Sequence, residues 1–363
     1  MRGKLETFAW RLWRGEAGLS GAFVSVLLFP LEGLWRLVTR VRNRRHDRAV
    51  APRVDGLAIV SVGNLAVGGT GKTPVSAWVV SVLKNSGYRP AVLLSGYGED
   101  EVALHRAWNP DVAVFAAADR GEAAKAARAE GCDVAVVDDG FQHRRLGRLL
   151  DVVLLSAADP LPGAVLPRGP YREPLSALRR AGVVVVTRRR HELAVAKSRL
   201  EALRGRGVLS DGVTTAGARL APEAAVPLGR WVPGSALPWN GTGQNGASEP
   251  PTYDASQGAM ALTAIARPDP FRDDVEELTG AAIELLAYPD HHTFSAGDVR
   301  RARQAARGRP IFVTEKDAVK LKGHLAELGD AWVVVQRIAW DWGEEEVRER
   351  LRAVLGEKRE TSG

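Results

Sequence analysis

The sequence predicts an α/β fold: a mostly parallel sheet with helices on both faces, a second, smaller α/β domain, and an apolar helix ahead of both. Three observations predict it. Residues 57–62 are an apolar run broken only by Ser61, followed by a glycine-rich turn and then by Val75, Trp78, Val79, Val82 and Leu83 at i, i+3, i+4, i+7 and i+8, which reads as strand, loop and amphipathic helix. Further short runs at 92–95, 112–115, 134–137, 152–155 and 183–186 are apolar on both faces and alternate with helical stretches such as the alanine-rich 121–130. Such strands belong in a parallel sheet covered on both sides, with ligands at the carboxyl ends of the strands. After residue 210 the alternation resumes with strands at 260–265, 283–286, 311–314 and 332–335, helices at 273–278 and 344–355, and a further helix that Ser295 opens with Asp298 as its capping-box partner.

The first strand and helix are joined by Gly63-Asn-Leu-Ala-Val-Gly-Gly-Thr-Gly-Lys-Thr-Pro74. Glycines at this junction let the backbone turn sharply and aim N–H groups at phosphate oxygens, and the new helix adds the partial positive charge of its N-terminus. The fold is therefore expected to be P-loop NTPase-like. Gly68, Gly69, Thr70, Gly71, Lys72 and Thr73 are the expected nucleotide-binding residues, with Lys72 reaching the β- and γ-phosphates and the Thr73 hydroxyl on Mg²⁺. Ala66 stands where this pattern ordinarily begins with glycine. Asp138 ends an apolar run as a metal-directed carboxylate should, and Asp139 doubles the charge, so Thr73, Asp138 and Asp139 are the expected metal ligands. The segment that follows brings His143, Arg144 and Arg145, and 166–174 is a proline-stiffened loop carrying Arg168, Arg172 and Glu173. Tyr288-Pro-Asp-His-His-Thr-Phe294 holds two adjacent histidines, which point in different directions and suit a proton carrier oriented by a carboxylate better than a two-histidine metal site. Thr314-Glu-Lys-Asp-Ala-Val-Lys320 reads as a helix cap followed by solvated lysines, or as a second strand-end cluster of charges.

Length and composition bound the rest. The 363 residues suffice for two domains, and a net charge of +7 points to anionic partners: nucleic acid, a membrane surface or a phosphorylated substrate. Cys132 is the only cysteine, which excludes an internal disulfide and a cysteine zinc cluster and suits a reducing compartment. Residues 8–41 are rich in Trp, Leu, Val and Phe, and Arg40, Arg42, Arg44, Arg45 and Arg48 follow. Positive charge after the apolar run argues against an export signal. The apolar core, 19–31, is shorter than a spanning helix needs and is expected to be interrupted by Pro30, Glu32 and Arg36, so an interfacial membrane helix is expected. The chain then divides into a membrane-interacting segment at 1–50, a P-loop kinase domain at 51–210 and a second α/β domain at 211–363. A Pro-, Gly- and Asn-rich insertion at 229–258 lies within the last of these.

Taken together the motifs resemble those of the tetraacyldisaccharide 4′-kinases of lipid A synthesis. The resemblance runs from about residue 57 to 320 and rests on 63–74, Asp138-Asp-Gly-Phe-Gln-His-Arg-Arg-Leu146, 166–174, 264–271, 289–294 and 313–320. It implies a membrane-bound kinase that transfers the γ-phosphate of ATP, with Mg²⁺, to the 4′-hydroxyl of a lipid A disaccharide 1-phosphate at the cytoplasmic membrane face. It implies Asp100 and His291 as the pair that activates the hydroxyl, beside Lys72, and a substrate position for Arg120; His143, Arg172 and Glu173 are further substrate candidates. Two stretches depart from the family: Ser95-Gly-Tyr-Gly98 lacks an arginine, and Glu99-Asp-Glu-Val102 replaces Gly-Asp-Glu-Pro, which leaves Glu99 as the alternative base. No nucleic acid partner is expected, and the chain is expected to be a monomer. The rival readings are a P-loop GTPase serving metal delivery or partner switching, for which 314–317 faintly resembles a guanine signature, and a degenerate, non-catalytic membrane-binding protein.

Overall fold

The structure, a computed structural model, describes residues 2–96, 99–231 and 252–360, without the side chains of 2–7, 99, 325 and 357–360. Most of the 229–258 insertion and part of the altered 95–102 stretch therefore lie outside the described residues. Helices α1 (Arg2–Trp13) and α2 (Gly18–Arg48) precede β1 (Ala58–Asn64), α3 (Lys72–Asn85), β2 (Pro90–Leu94), α4 (Glu99–Trp108), β3 (Ala113–Ala116), α5 (Arg120–Ala129), β4 (Val134–Asp138), β5 (Leu150–Ser156), β6 (Val183–Arg188), α6 (Leu193–Gly205) and β7 (Thr214–Pro227). The chain continues through β8 (Ala259–Thr263), α7 (Asp269–Thr279), β9 (Ile283–Ala287), α8 (Ala296–Ala306), β10 (Ile311–Thr314), α9 (Glu315–Leu321), α10 (Leu325–Leu328), β11 (Ala331–Trp342) and α11 (Glu344–Glu360).

All the strands form one sheet in the order β3-β2-β4-β1-β5-β6-β7-β11-β10-β8-β9. Strands β1 to β7 pair in parallel, as do β8 to β11, and the two sets meet antiparallel at β7 and β11. The central strands are as apolar as the sequence suggests: every residue of β1, β2, β4 and β8 is buried. Helices α3 and α11 cover one face of the first set, where Trp78 packs at a tilt against Trp340 with ring centroids 4.6 Å apart. The β7–β11 pair carries register shifts after Val335 and Trp340, and such bulges bend and twist a sheet. The sheet is curled as a result. Strand β2 is next to one edge and β9 forms the other, yet residues that follow them touch, as described below.

Three elements differ from expectation. Residues 99–101 open α4, and the Asp100 and Glu101 carboxylates fall in its first turn, where the helix dipole favours them. Strand β7 joins the two parallel sets, and its Ala-, Gly- and Pro-rich sequence is held extended by neighbours on both sides rather than by propensity. Helix α2 runs for 31 residues straight through Pro30, well beyond the apolar stretch 19–31. By length and composition it could cross a membrane, with a mean hydropathy of 1.5 over its most apolar window.

Candidate active site

The phosphate-loop candidate lies between β1 and α3. Gly71 caps α3 in the left-handed region (φ 86°), and a Cβ there would lie 2.5 Å from Leu220. Gly68 (φ 101°) leaves no room either, because Arg267 and Trp10 press on it. The loop is pinned from inside by Asn64, whose Nδ2 donates to the Ala66 carbonyl (2.6 Å) and the Thr70 hydroxyl (2.9 Å). It is pinned from outside by the proline-rich segment: Val67 N–H donates to the Pro170 carbonyl (2.8 Å), and Arg172 N–H to the Leu65 carbonyl (2.7 Å). Ala66 is fully buried in a bridge to Tyr171, which explains why glycine is not needed there. Gly69 opens onto a cavity of about 210 Å³ lined by Arg14, Thr187, Arg188, Arg189 and Arg267 among others. Lys72 Nζ lies 3.8 Å from Asp139, and Thr73 sits half-buried in the first turn of α3.

At the end of β4 the two aspartates have different surroundings. Asp138 is buried, with His105 Nε2 at 3.0 Å from its Oδ2. Burial works to raise its carboxyl, and the His105 contact, the Lys72 charge and the Ser76 hydroxyl more than reverse this, so it lies below the usual carboxylate range. Asp139, at a left-handed φ of 53°, leaves 39% of its side chain exposed and takes both its oxygens to Arg172 Nη1 at 3.1 Å. Arg120 opens α5, capped by Asp119, which accepts from Gly121 N–H (2.7 Å). Its guanidinium is buried, which pushes it down, and it faces Asp139, Asp138 and Glu101. His143 is half-buried next to Arg120 and Arg148; burial and then those charges lower it. Glu173 is elsewhere. It is fully buried and bonded to Asn43 (2.7 Å) and Arg180 (3.1 Å), with Arg42 at 3.5 Å, so it ties α2 to the proline-rich loop and offers no free oxygen to a substrate.

A second cluster forms on α4. Asp100 meets His291, whose Nδ1 lies 3.1 Å from both carboxylate oxygens, and His291 Nε2 lies 3.6 Å from Asp290. His291 adopts φ 61°, a costly conformation for a non-glycine residue that places its ring over α4. His292 turns the other way, to Asp298 (3.1 Å) and to a stack on Tyr288. Of the two readings of 314–320, the cluster of charges holds for its lysines: Lys316 and Lys320 of α9 surround Asp100. Since α4 carries Asp100, Glu101 and His105, one helix connects the Asp100–His291 pair to the buried Asp138. Sequence reasoning missed His105 and Asn64; the i, i+4 spacing of Glu101 and His105 would have placed them on one face had α4 been expected.

The family model for LpxK, tetraacyldisaccharide-1-P 4′-kinase, matches residues 24–103 and 99–356. The chain belongs to the tetraacyldisaccharide 4′-kinase family. It is thus a kinase, and the GTPase reading falls; Asp317 in the supposed guanine signature is fully buried against Thr263 and Ala264. The family's tetraacyldisaccharide 4′-kinase of Anaeromyxobacter sp. (strain K) is 38% identical over 345 residues, 86% of each chain. That of Chlorobium luteolum is 31% identical over 92% of this chain and 98% of its own. The fold matches that of LpxK from Aquifex aeolicus, crystallised in complex with ATP, with a TM-score of 0.66 and 22% identity over 92% of this chain and 99% of that one.

Proposed function

We propose that the chain transfers the γ-phosphate of ATP, with Mg²⁺, to the 4′-hydroxyl of a lipid A disaccharide 1-phosphate precursor at the cytoplasmic face of the membrane. The observation that carries this reading is the meeting of Asp100 and His291 from opposite ends of the sheet on the helix whose His105 also holds Asp138. The residues present fit the nucleotide: Gly69 opens on an arginine-lined cavity, and Lys72 stands at the head of α3. They also fit Mg²⁺. Thr73, Asp138 and Asp139 are hard oxygen donors, and among the described residues no group of three carboxylate, histidine or cysteine ligands is gathered in advance. That suits an ion which completes its shell with phosphate oxygens and water. Held by those residues, Mg²⁺ would supply positive charge to the nucleotide's phosphates.

Lys72 leaves Asp139 for the phosphates, Arg172 holds Asp139 in place, and Arg120 and His143 face the acceptor. The 4′-hydroxyl proton passes to the Asp100–His291 pair as its oxygen attacks. In this reading 51–210 binds nucleotide and 211–363 supplies His291. Segment 1–50 brings the enzyme to its acylated substrate and to anionic lipid. The outward face of α2, with Leu19, Phe23, Val26, Leu27 and Phe29 exposed, supports the last point. Its farther half is fastened to the body through Glu32 to Arg168, Trp35 to the Arg172 carbonyl (3.0 Å) and Arg144 to Asp47 (2.6 Å). The test is incubation with ATP, Mg²⁺ and the lipid disaccharide 1-phosphate in detergent, followed by mass spectrometry of the lipid. A second phosphate on the sugar is the expected product; ATP hydrolysis with an unchanged lipid refutes the assignment.

A further inference from the structure

The charged stretch at 314–320 has no part in the chemistry so far. Thr314 caps α9 by accepting from Asp317 N–H (3.0 Å). The Asp317 carboxylate, fully buried, accepts from the Thr263 and Thr314 hydroxyls (2.7 Å each) and from Ala264 N–H (3.2 Å). The first turn of α9 is thereby locked to the ends of β8 and β10. Lys316 and Lys320 stand one turn apart on the same side of α9 and reach α4. Lys320 Nζ lies 3.2 Å from Asp100 Oδ2 and 3.4 Å from Asp317 Oδ1. Lys316 Nζ lies 3.4 Å from the same Asp100 oxygen, 3.7 Å from Glu101 and 3.5 Å from Asp290. Their side chains are only 17% and 9% exposed, so neither is a solvated surface lysine.

We propose that Lys316 and Lys320 are positioning residues for phosphoryl transfer: from α9 they fix the Asp100 carboxylate against His291, so that the pair is aimed before the acceptor arrives. The inference rests on reading Asp100 and His291 as the proton-accepting pair. The Asp100 carboxylate has few directions left. Oδ1 accepts from Glu101 N–H (3.0 Å), both oxygens meet His291, and Oδ2 meets the two lysines. The charged groups around it are Glu101 from α4, Lys316, Lys320 and Asp317 from α9, and His291 and Asp290 from the 288–294 segment. Burial works to raise the Asp100 carboxyl; Lys316, then Lys320, then His291 outweigh it, and the carboxyl lies below its ordinary range. Because the lysines belong to the second half of the chain and Asp100 to the first, they also hold α4 against α9.

The experiment is the kcat–pH profile of the full-length enzyme, with ATP, Mg²⁺ and the lipid disaccharide 1-phosphate, for Lys316→Met, Lys320→Met, Lys320→Arg and Asp100→Asn. Each Met variant is expected to lose about tenfold in kcat at pH 7 and to move the acid limb up by about one pH unit, with the ATP KM within about twofold. Lys320→Arg, which keeps the charge, is expected to restore the limb. An unmoved limb in the Met variants, accompanied only by a lower melting temperature, makes the lysines structural and overturns the proposal. So does a Lys320→Arg profile displaced like that of Lys320→Met. If Asp100→Asn keeps near-normal kcat, the underlying pair assignment fails as well; if it is inactive while the lysine variants behave as wild type, only the lysine assignment fails.

Discussion

The two halves of the candidate site are built in opposite ways. Around the phosphate loop nearly every restraint is a backbone bond or a contact with adjoining segments: Asn64 inside the loop, Pro170 and Arg172 outside it, and Asp138 and Asp139 at the end of the neighbouring strand. Around Asp100 the restraints are ion pairs between side chains from α4, the 288–294 segment and α9, which flank strands at opposite edges of the sheet. The first half is shaped chiefly by hydrogen bonds to the loop itself, with Leu220, Arg267 and Trp10 packed against its glycines. The second brings together segments that follow β2 and β9, strands far apart in the sheet order. Disturbing the curl should therefore dismantle proton transfer and spare nucleotide binding.

The largest effect is expected from the first half itself. Lys72→Ala should lower kcat/KM about a thousandfold with the melting temperature almost unchanged, since Lys72 is charge placed for the phosphates and not a packing residue. Initial rates with a thermal melt check this. Next comes the curl. A Cβ on Gly217 would lie 2.0 Å from the Trp342 ring, beside the register shift of β11. Gly217→Ala should displace Trp342, cost about 1–3 kcal/mol of stability and lower kcat about tenfold. ATP affinity should stay within about twofold, as isothermal titration would show; equal loss of kcat and of ATP affinity would erase the distinction between the halves.

The smallest effect concerns the seam between α4 and α9. Glu315 accepts from Trp108 Nε1 (2.9 Å) and is buried, which pushes its carboxyl up to about 7 from an ordinary 4.5. Between those values the folded chain holds a proton that the unfolded chain has released, so this group's contribution to stability falls as pH rises from about 4.5 to about 7 and levels off above. Glu315→Gln keeps an acceptor for Trp108 and removes the titration. Unfolding free energies from denaturant titrations should decline less for the variant than for the wild type between those pH values, by about 2–3 kcal/mol across the range.

The legibility of the site in the sequence follows the same division. A loop that wraps phosphate must be made of consecutive residues, so 68–73 could be read directly, as could Asp138 at the end of an apolar run. The pairing of Asp100 with His291 could be expected only from the resemblance to a family, because nothing local in 288–294 shows which element it faces. The cap at Thr314 is legible, while the sequence leaves its lysines open between solvated and clustered, because the sequence of α9 does not say that α4 covers that side. Helix α4 was hidden because its acidic first turn resembles a charged loop, and with it went His105. Strand β7 was hidden because its residues are poor strand formers rescued by two neighbours. Glu173 was misplaced among substrate residues since a glutamate in a stiff loop looks available, whereas Asn43, Arg42 and Arg180 enclose it.

The most direct test of one site built from both halves is a single-turnover measurement on His291→Ala, with ATP affinity determined on the same sample. The phosphoryl-transfer rate should fall about a hundredfold or more while ATP binds within about twofold of wild type. A rate close to wild type, or a loss confined to ATP binding, would contradict the account.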